Sequence, residues 1–164
     1  MDLIIEGLRK AIEMLLSFDP EIFEITWLTL RVCLAATLFS SVVGIPIGIL
    51  IGMKNFPGRR LLLVFINIGM GLPPVVAGLW ITIFLWRSGP LGHLSLLYTP
   101  TAIVMAQILV SLPIIIGLTS SAFQEIDPKM RMQIKALGTT KFQYIRLLLL
   151  ETRFAILTAV IAAF

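Results

Sequence analysis

His93 is the only histidine of the chain and lies in a loop, so no second imidazole is at hand to share a metal ion. The single cysteine, Cys33, sits in an apolar run, where a small buried packing residue is its ordinary role. Glu125 and Asp127 stand two residues apart in a polar stretch, and with no burial to set the two carboxyls apart they read as helix caps, not as an acid–base pair. A phosphate loop of the form GxxxxGK[ST] does not occur. The chain thus offers no catalytic residue, no metal site and no Walker-type ATP site of its own. The polar groups that remain are of another kind. Pro73, Pro74, Gln107 and Ser111 interrupt long apolar runs, Arg31, Glu151 and Arg153 lie toward the ends of such runs, and Gly138 follows Asp127-Pro128 by about ten residues. Residues of these types at these places line paths and join helices within a membrane.

The elements that must position them follow from composition. With 58% hydrophobic residues, 13% charged residues and a mean hydropathy of +1.00, the chain is too apolar for a soluble domain of 164 residues. Residues 25–53, 61–86, 97–122 and 145–164 form runs almost free of charge, each meeting the roughly 20 residues of a spanning helix, which predicts an all-α, multi-pass membrane protein with four spans. A net charge of +4 would suggest nucleic acid in a soluble protein, but here the cations follow the loops. Lys54, Arg59 and Arg60 lie in one loop and Lys129, Arg131, Lys135, Lys141 and Arg146 in another, whereas residues 87–96 carry only Arg87 and His93. The positive-inside rule therefore puts the two basic loops in the cytoplasm and the N-terminus outside. Six of the nine acidic residues precede the first span, in keeping with this; Arg9 and Lys10 count mildly against it.

Residues 1–22 read as an interfacial amphipathic segment, with Ile4, Leu8, Ile12 and Leu15 on one helical face, and a cleaved signal is a poor alternative because charge interrupts the apolar positions. The first span is long, about 43 Å at 1.5 Å per residue, and its Gly44, Pro46, Gly48 and Gly52 predict a kink and close helix packing. Arg31 is either an interface anchor or an anion-attracting group at the outer mouth. Pro73-Pro74 removes two backbone donors near mid-span, which makes it a candidate for a translocation path or a structural kink. Gln107, with Ser111 one turn on, either bonds a neighbouring helix or lines a pore. Between residues 123 and 146, Asp127 as N-cap, Pro128 at the first helical position and Gly138 as a stop predict a short helix, a turn and a new helix. Glu151 and Arg153, read on one continuous helix, point about 200° apart and so seek partners elsewhere. The chain stops at Ala162-Ala163-Phe164 without a polar flank and is expected to be cut inside a helix.

At Gly138 the chain resembles the permease subunits of ABC importers, whose cytoplasmic loop carries Glu-Ala-Ala, three residues, Gly, nine residues, Ile, one residue and Leu-Pro. Here Met132, Gln133 and Ile134 occupy the first three positions, Leu148 that of the Ile, and Leu150 and Glu151 those of Leu-Pro, while Gly138, Leu137, Leu150 and Ile126-Asp127-Pro128 fit. Thr29-Leu30-Arg31-Val32 leading to Gly44-Ile45-Pro46-Ile47-Gly48, Leu72-Pro73-Pro74-Val75-Val76-Ala77-Gly78-Leu79, and Ala106-Gln107 leading to Leu112-Pro113 resemble spans of the molybdate, tungstate and sulfate branch. The departure Leu150-Glu151-Thr152-Arg153-Phe154-Ala155 is similar to the tungstate type in particular.

The resemblance implies a type I permease fold over residues 23–164, incomplete at its C-terminus, in the cell membrane. It further implies docking of an ATPase through Asp127, Gln133, Ala136, Leu137 and Gly138, with ATP bound on that partner and no cofactor on this chain. An extracytoplasmic binding protein, a second permease copy and membrane lipids would complete the surroundings, with no nucleic acid. Glu151 and Arg153 would serve assembly. The reading from another class is a non-ABC scaffold or half of a secondary transporter using the broken helix as an ion site, for which Glu151 is the one carboxylate within a run.

Overall fold

The computed structural model describes residues 4–7, 9–10, 17 and 20–164 of the chain. Residues 4–7 and 9–10 are helical, and most of the amphipathic segment expected there, including Leu8, Ile12 and Leu15, lies outside the described residues. Most of the rest is helical, with no strand among the described residues. In chain order the helices are α1 Pro20–Met53, α2 Arg59–Met70, α3 Pro74–Leu85, α4 Pro100–Gln124, α5 Pro128–Ala136, α6 Lys141–Glu151 and α7 Arg153–Ala163, with a single 3-10 turn, Gly92–Leu94, before α4.

The pair α1 and α4 is the frame. Gly48 and Gly52 let the two backbones touch: a Cβ on Gly48 would lie 2.7 Å from Thr119 Cβ, and one on Gly52 would lie 2.6 Å from Phe123 Cβ. One turn earlier Gly44 faces Ile115, and beyond it Ser40 and Ser111 share a buried 2.6 Å hydrogen bond. Gln107 donates to Cys33 Sγ at 3.8 Å at the far end of the same seam. Positions four apart on α1 thus meet positions four apart on α4, small against large, as close packing in a bilayer requires when apolar burial alone drives nothing. The expected kink at Pro46 does not end α1, which runs through it as one helix of 34 residues.

The order of these pairs also fixes direction. Residues 33, 40, 44, 48 and 52 meet 107, 111, 115, 119 and 123 in ascending order, so α1 and α4 run parallel. Two parallel spans need the chain to recross between them. Only α2 and α3 lie there, and each has 12 residues, about 18 Å, too short to cross a 30 Å core alone. They are bent by 101° at residues 71–73. The residue before a proline avoids the α region, and Leu72 and Pro73 are both in that position, so the helix breaks and Pro73 turns extended at φ −61°, ψ 135°. The expected single span over 61–86 is therefore two half-helices that together carry the chain across. α2 seats against α4 through Ile66 and Met70, next to Ile51, Leu112 and Ile116.

The fourth expected span also differs. It begins at Lys141, before Ile145, and is interrupted at Thr152, φ −89° and ψ 6°. The Thr152 amide and hydroxyl both donate to the Leu148 carbonyl, at 3.0 and 2.9 Å, and the Ile156 amide donates to the Thr152 carbonyl at 3.0 Å, so the backbone bonds continue through a bend. The long apolar helices are thus α1 and α4, with the bent pair as a third crossing and α7 an 11-residue apolar helix. Large apolar side chains on their outer faces, among them Leu38, Val42, Phe65 and Leu79, remain exposed, as a lipid-facing or partner-facing surface demands.

Candidate functional site

Two places combine the residues singled out in the sequence. The first is the loop after α4. Asp127 caps α5 by accepting from the Lys129 amide at 2.8 Å, with Pro128 opening the helix. Gly138 closes it in the left-handed conformation at φ 70°, its amide donating to the Lys135 carbonyl at 3.1 Å. Thr140 then starts α6 in a capping box with Gln143. Thr139 ties the turn to the helix by donating to the Ile134 carbonyl at 3.0 Å.

This loop has an inner and an outer face. Ile126, Met130 and Ile134, four apart, pack on Phe123 and Leu148 with Ile49, Met53 and Tyr144 around them. Arg131 donates to the Phe123 carbonyl at the end of α4, and Arg59 donates to the Ile51 carbonyl at the end of α1 at 2.7 Å, so a cation closes each long helix where its dipole is negative. On the outer face Gln133, Ala136, Leu137 and Gly138 are exposed together with Asp127. Met132 and Phe142, absent from the sequence-based selection, join them: Met132, Leu137 and Phe142 are 64%, 79% and 78% exposed. Their signal was available, as apolar residues in a polar loop out of step with the buried 126, 130, 134 row.

The second place is the break between α2 and α3. Pro73 and Pro74 are exposed at the bend. The Pro73 carbonyl accepts from the Val76 and Ala77 amides at 2.9 and 3.2 Å, whereas the Val75 amide has no partner among the described residues and its side chain is 84% exposed. The positive end of α3 is thus presented at the bend between the two half-helices. Asn67, an exposed amide one turn before the bend, was also missed; a lone Asn in an apolar run carries little signal until the bend is seen. Gln107 and Ser111 do not reach this bend by any hydrogen bond. They face α1, through Cys33 and Ser40.

Glu151 and Arg153 flank the interruption at Thr152, so the 200° separation expected on a continuous helix does not apply. Both are exposed, no ion pair joins them among the described residues, and the Arg153 guanidinium lies 4.8 Å from the centre of the Phe154 ring. No group of three or more metal-ligating side chains occurs among the described residues.

Residues 44–164 match the family described as binding-protein-dependent transport system inner membrane component. The chain belongs to that family. It is 39% identical, over all of its 164 residues and 72% of the other protein, to the tungstate uptake system permease protein of Peptoclostridium acidaminophilum. A probable anion ABC transporter permease protein of Haloferax volcanii is 37% identical over 85% of this chain and 60% of its own length. The sulfate transport system permease protein of Escherichia coli K12 is 35% identical over 60% of this chain and 36% of its own. For an inner membrane component, the lipid-facing surfaces of α1 and α4 and the basic loops that close them are the expected physical form. The reading as an unrelated secondary transporter or scaffold is displaced by this membership.

Proposed function

We infer that this chain is the permease subunit of an ATP-binding cassette importer that carries a tetrahedral oxyanion, tungstate, into the cell. An extracytoplasmic binding protein delivers the anion, two permease chains enclose the path, and ATPase subunits bind and hydrolyse ATP. The observation that carries the reading is the loop of residues 127–138. One face packs on the ends of α1 and α4 and on α6, while the other offers Met132 and Leu137 to solvent beside the left-handed turn at Gly138, with Phe142 exposed at the start of α6. Exposed apolar side chains on a short helix held rigidly from behind suit a docking element that transmits force. Asp127, Gln133, Ala136, Leu137 and Gly138 form this surface on the proposed reading. The substrate rests on the likeness to a tungstate uptake permease over the whole chain.

The proposed path runs past Pro73 and Pro74, where the positive end of α3 and the Val75 amide meet the anion. Gln107 and Ser111 hold α4 to α1 and so set the wall of the path. Glu151 and Arg153, exposed on either side of Thr152, serve contacts with further helices or subunits. The test is reconstitution of the full-length permease with its ATPase and binding protein in proteoliposomes. Uptake and ATP hydrolysis stimulated by tungstate above sulfate and molybdate are expected; preference for sulfate or molybdate assigns the other oxyanions of the branch, and no oxyanion-dependent hydrolysis ends the reading.

A further inference from the structure

Beside the C-terminal end of α1 a cavity of about 580 Å³ opens toward the loop of residues 123–146. Its membrane-side wall is apolar, made by Ile49, Leu50 and Met53. Its other side carries four cations, Lys54, Arg131, Lys135 and Lys141, and no carboxylate lines it. Arg131 is engaged with the Phe123 carbonyl, and Lys135 stands 5.6 Å from the centre of the Tyr144 ring. None of the three lysines forms an ion pair among the described residues. Lys54 directly follows the last residue of α1 and Lys141 is the first of α6, so both charges sit at helix ends beside the cavity.

We propose that this cavity seats the phosphate headgroup of an anionic phospholipid from the cytoplasmic leaflet. Protein packed over four like charges would bury them without compensation, so the occupant must bring negative charge. A free oxyanion supplies that and can pair with the lysines, but it has no apolar part to cover Ile49, Leu50 and Met53, against which it would only lose hydration. A phospholipid satisfies both walls: phosphate on the lysines, glycerol and acyl carbons along α1, where Leu50 is exposed. The volume equals about nineteen waters at about 30 Å³ each, ample for phosphoglycerol and far more than one tetrahedral anion fills. Because Lys54 belongs to the frame and Lys135 and Lys141 to the docking loop, the lipid would tie the loop to the leaflet. The proposal rests on the cytoplasmic placement of the basic loops.

The full-length permease in mixed phosphatidylcholine and phosphatidylglycerol nanodiscs is extracted, and retained lipid is counted by native mass spectrometry. Wild type is expected to keep phosphatidylglycerol selectively. A lysine that faces the seated phosphate is worth roughly fivefold, so Lys54→Gln with Lys141→Gln should lower retention about 25-fold if the two add, while Lys54→Arg with Lys141→Arg preserves it. Lys129→Gln, exposed and outside the cavity, should change nothing. Equal losses in the Lys129 control, displacement of phosphatidylglycerol by tungstate at matched ionic strength, or no selectivity in wild type each overturn the proposal. The assay contains neither ATPase nor binding protein, so loss of lipid selectivity beside intact tungstate-stimulated hydrolysis sinks the lipid site and leaves the transport reading standing.

Discussion

Replacing Gly138 by valine adds a Cβ that meets no heavy atom within 4 Å, so the first added atom enters open space. The cost lies in the backbone, which holds φ at 70°. A residue with a side chain loses about 1–2 kcal/mol there, and β-branching places valine at the upper end. That is a factor of about 5–30 against the observed turn. What moves with the turn is the outer face: Leu137 precedes it, and the Thr139 bond to the Ile134 carbonyl and the Thr140 cap follow. Asparagine tolerates the left-handed region and alanine tolerates it less, so the series separates conformation from size. With the full-length permease, ATPase and binding protein in proteoliposomes, tungstate-stimulated ATP hydrolysis should fall in the order Gly, Asn, Ala, Val, at equal yields of inserted permease. Normal stimulation in Gly138→Val refutes the coupling role of this turn, and a uniform loss of inserted protein places its effect in folding instead.

Cysteines introduced at Asn55 and Thr139 in a Cys33→Ser background should label only from the cytoplasm and one at Ser88 only from outside; the converse pattern inverts the topology. Gly52→Leu should lower the melting temperature in detergent far more than Gly44→Ala, since the first meets Phe123 Cβ at 2.6 Å and the Ser120 carbonyl at 2.9 Å and the second an Ile115 methyl at 3.0 Å; equal shifts would mean that α1 and α4 do not meet on this seam. Ser111→Ala should destabilise by about 1 kcal/mol by stranding the Ser40 hydroxyl, and adding Ser40→Ala should recover part of the loss, as read from a double-mutant cycle of unfolding midpoints.

Much of this architecture was legible in the residues. Asp127-Pro128 and Gly138 bracket α5 because capping and left-handed closure are local physics, and the glycines at 44, 48 and 52 announce a close helix contact by spacing alone. Their partners were not legible. Ser40 finds Ser111 across 71 residues and Cys33 finds Gln107 across 74, and no local rule selects either pair. Pro73-Pro74 announced a break but not its 101° angle, which depends on how α2 and α3 seat on α4. Thr152 gave no warning, because a threonine in an apolar run is ordinary, and Thr29, Thr82 and Thr158 make the same bond to the carbonyl four residues back within unbroken helices. For the candidate site this meant that the turn at Gly138 was visible early, while the exposed face of Met132 and Phe142 depended on knowing which face of α5 is buried.

The proposed path must admit a dianion without keeping it. Apart from Arg146 at the very edge of the last run, the guanidinium groups within the apolar runs are Arg31 and Arg153, and each already lies 4.8 Å from an aromatic ring centre, Trp27 and Phe154. Neither is needed at the bend if the half-helix there supplies the attraction. The N-terminal end of α3 is equivalent to roughly half an elementary charge, delivered through the Val75 amide, which has no partner among the described residues, and without a counterion to displace. A full cation buried at the same depth would bind the anion several times more strongly and release it slowly, and when the path is empty it would itself be an uncompensated charge. Pro73 and Pro74 reach the intermediate condition by subtraction: removing two amides leaves the helix end open to the path, and the bend lets the chain still complete its crossing between the parallel helices α1 and α4.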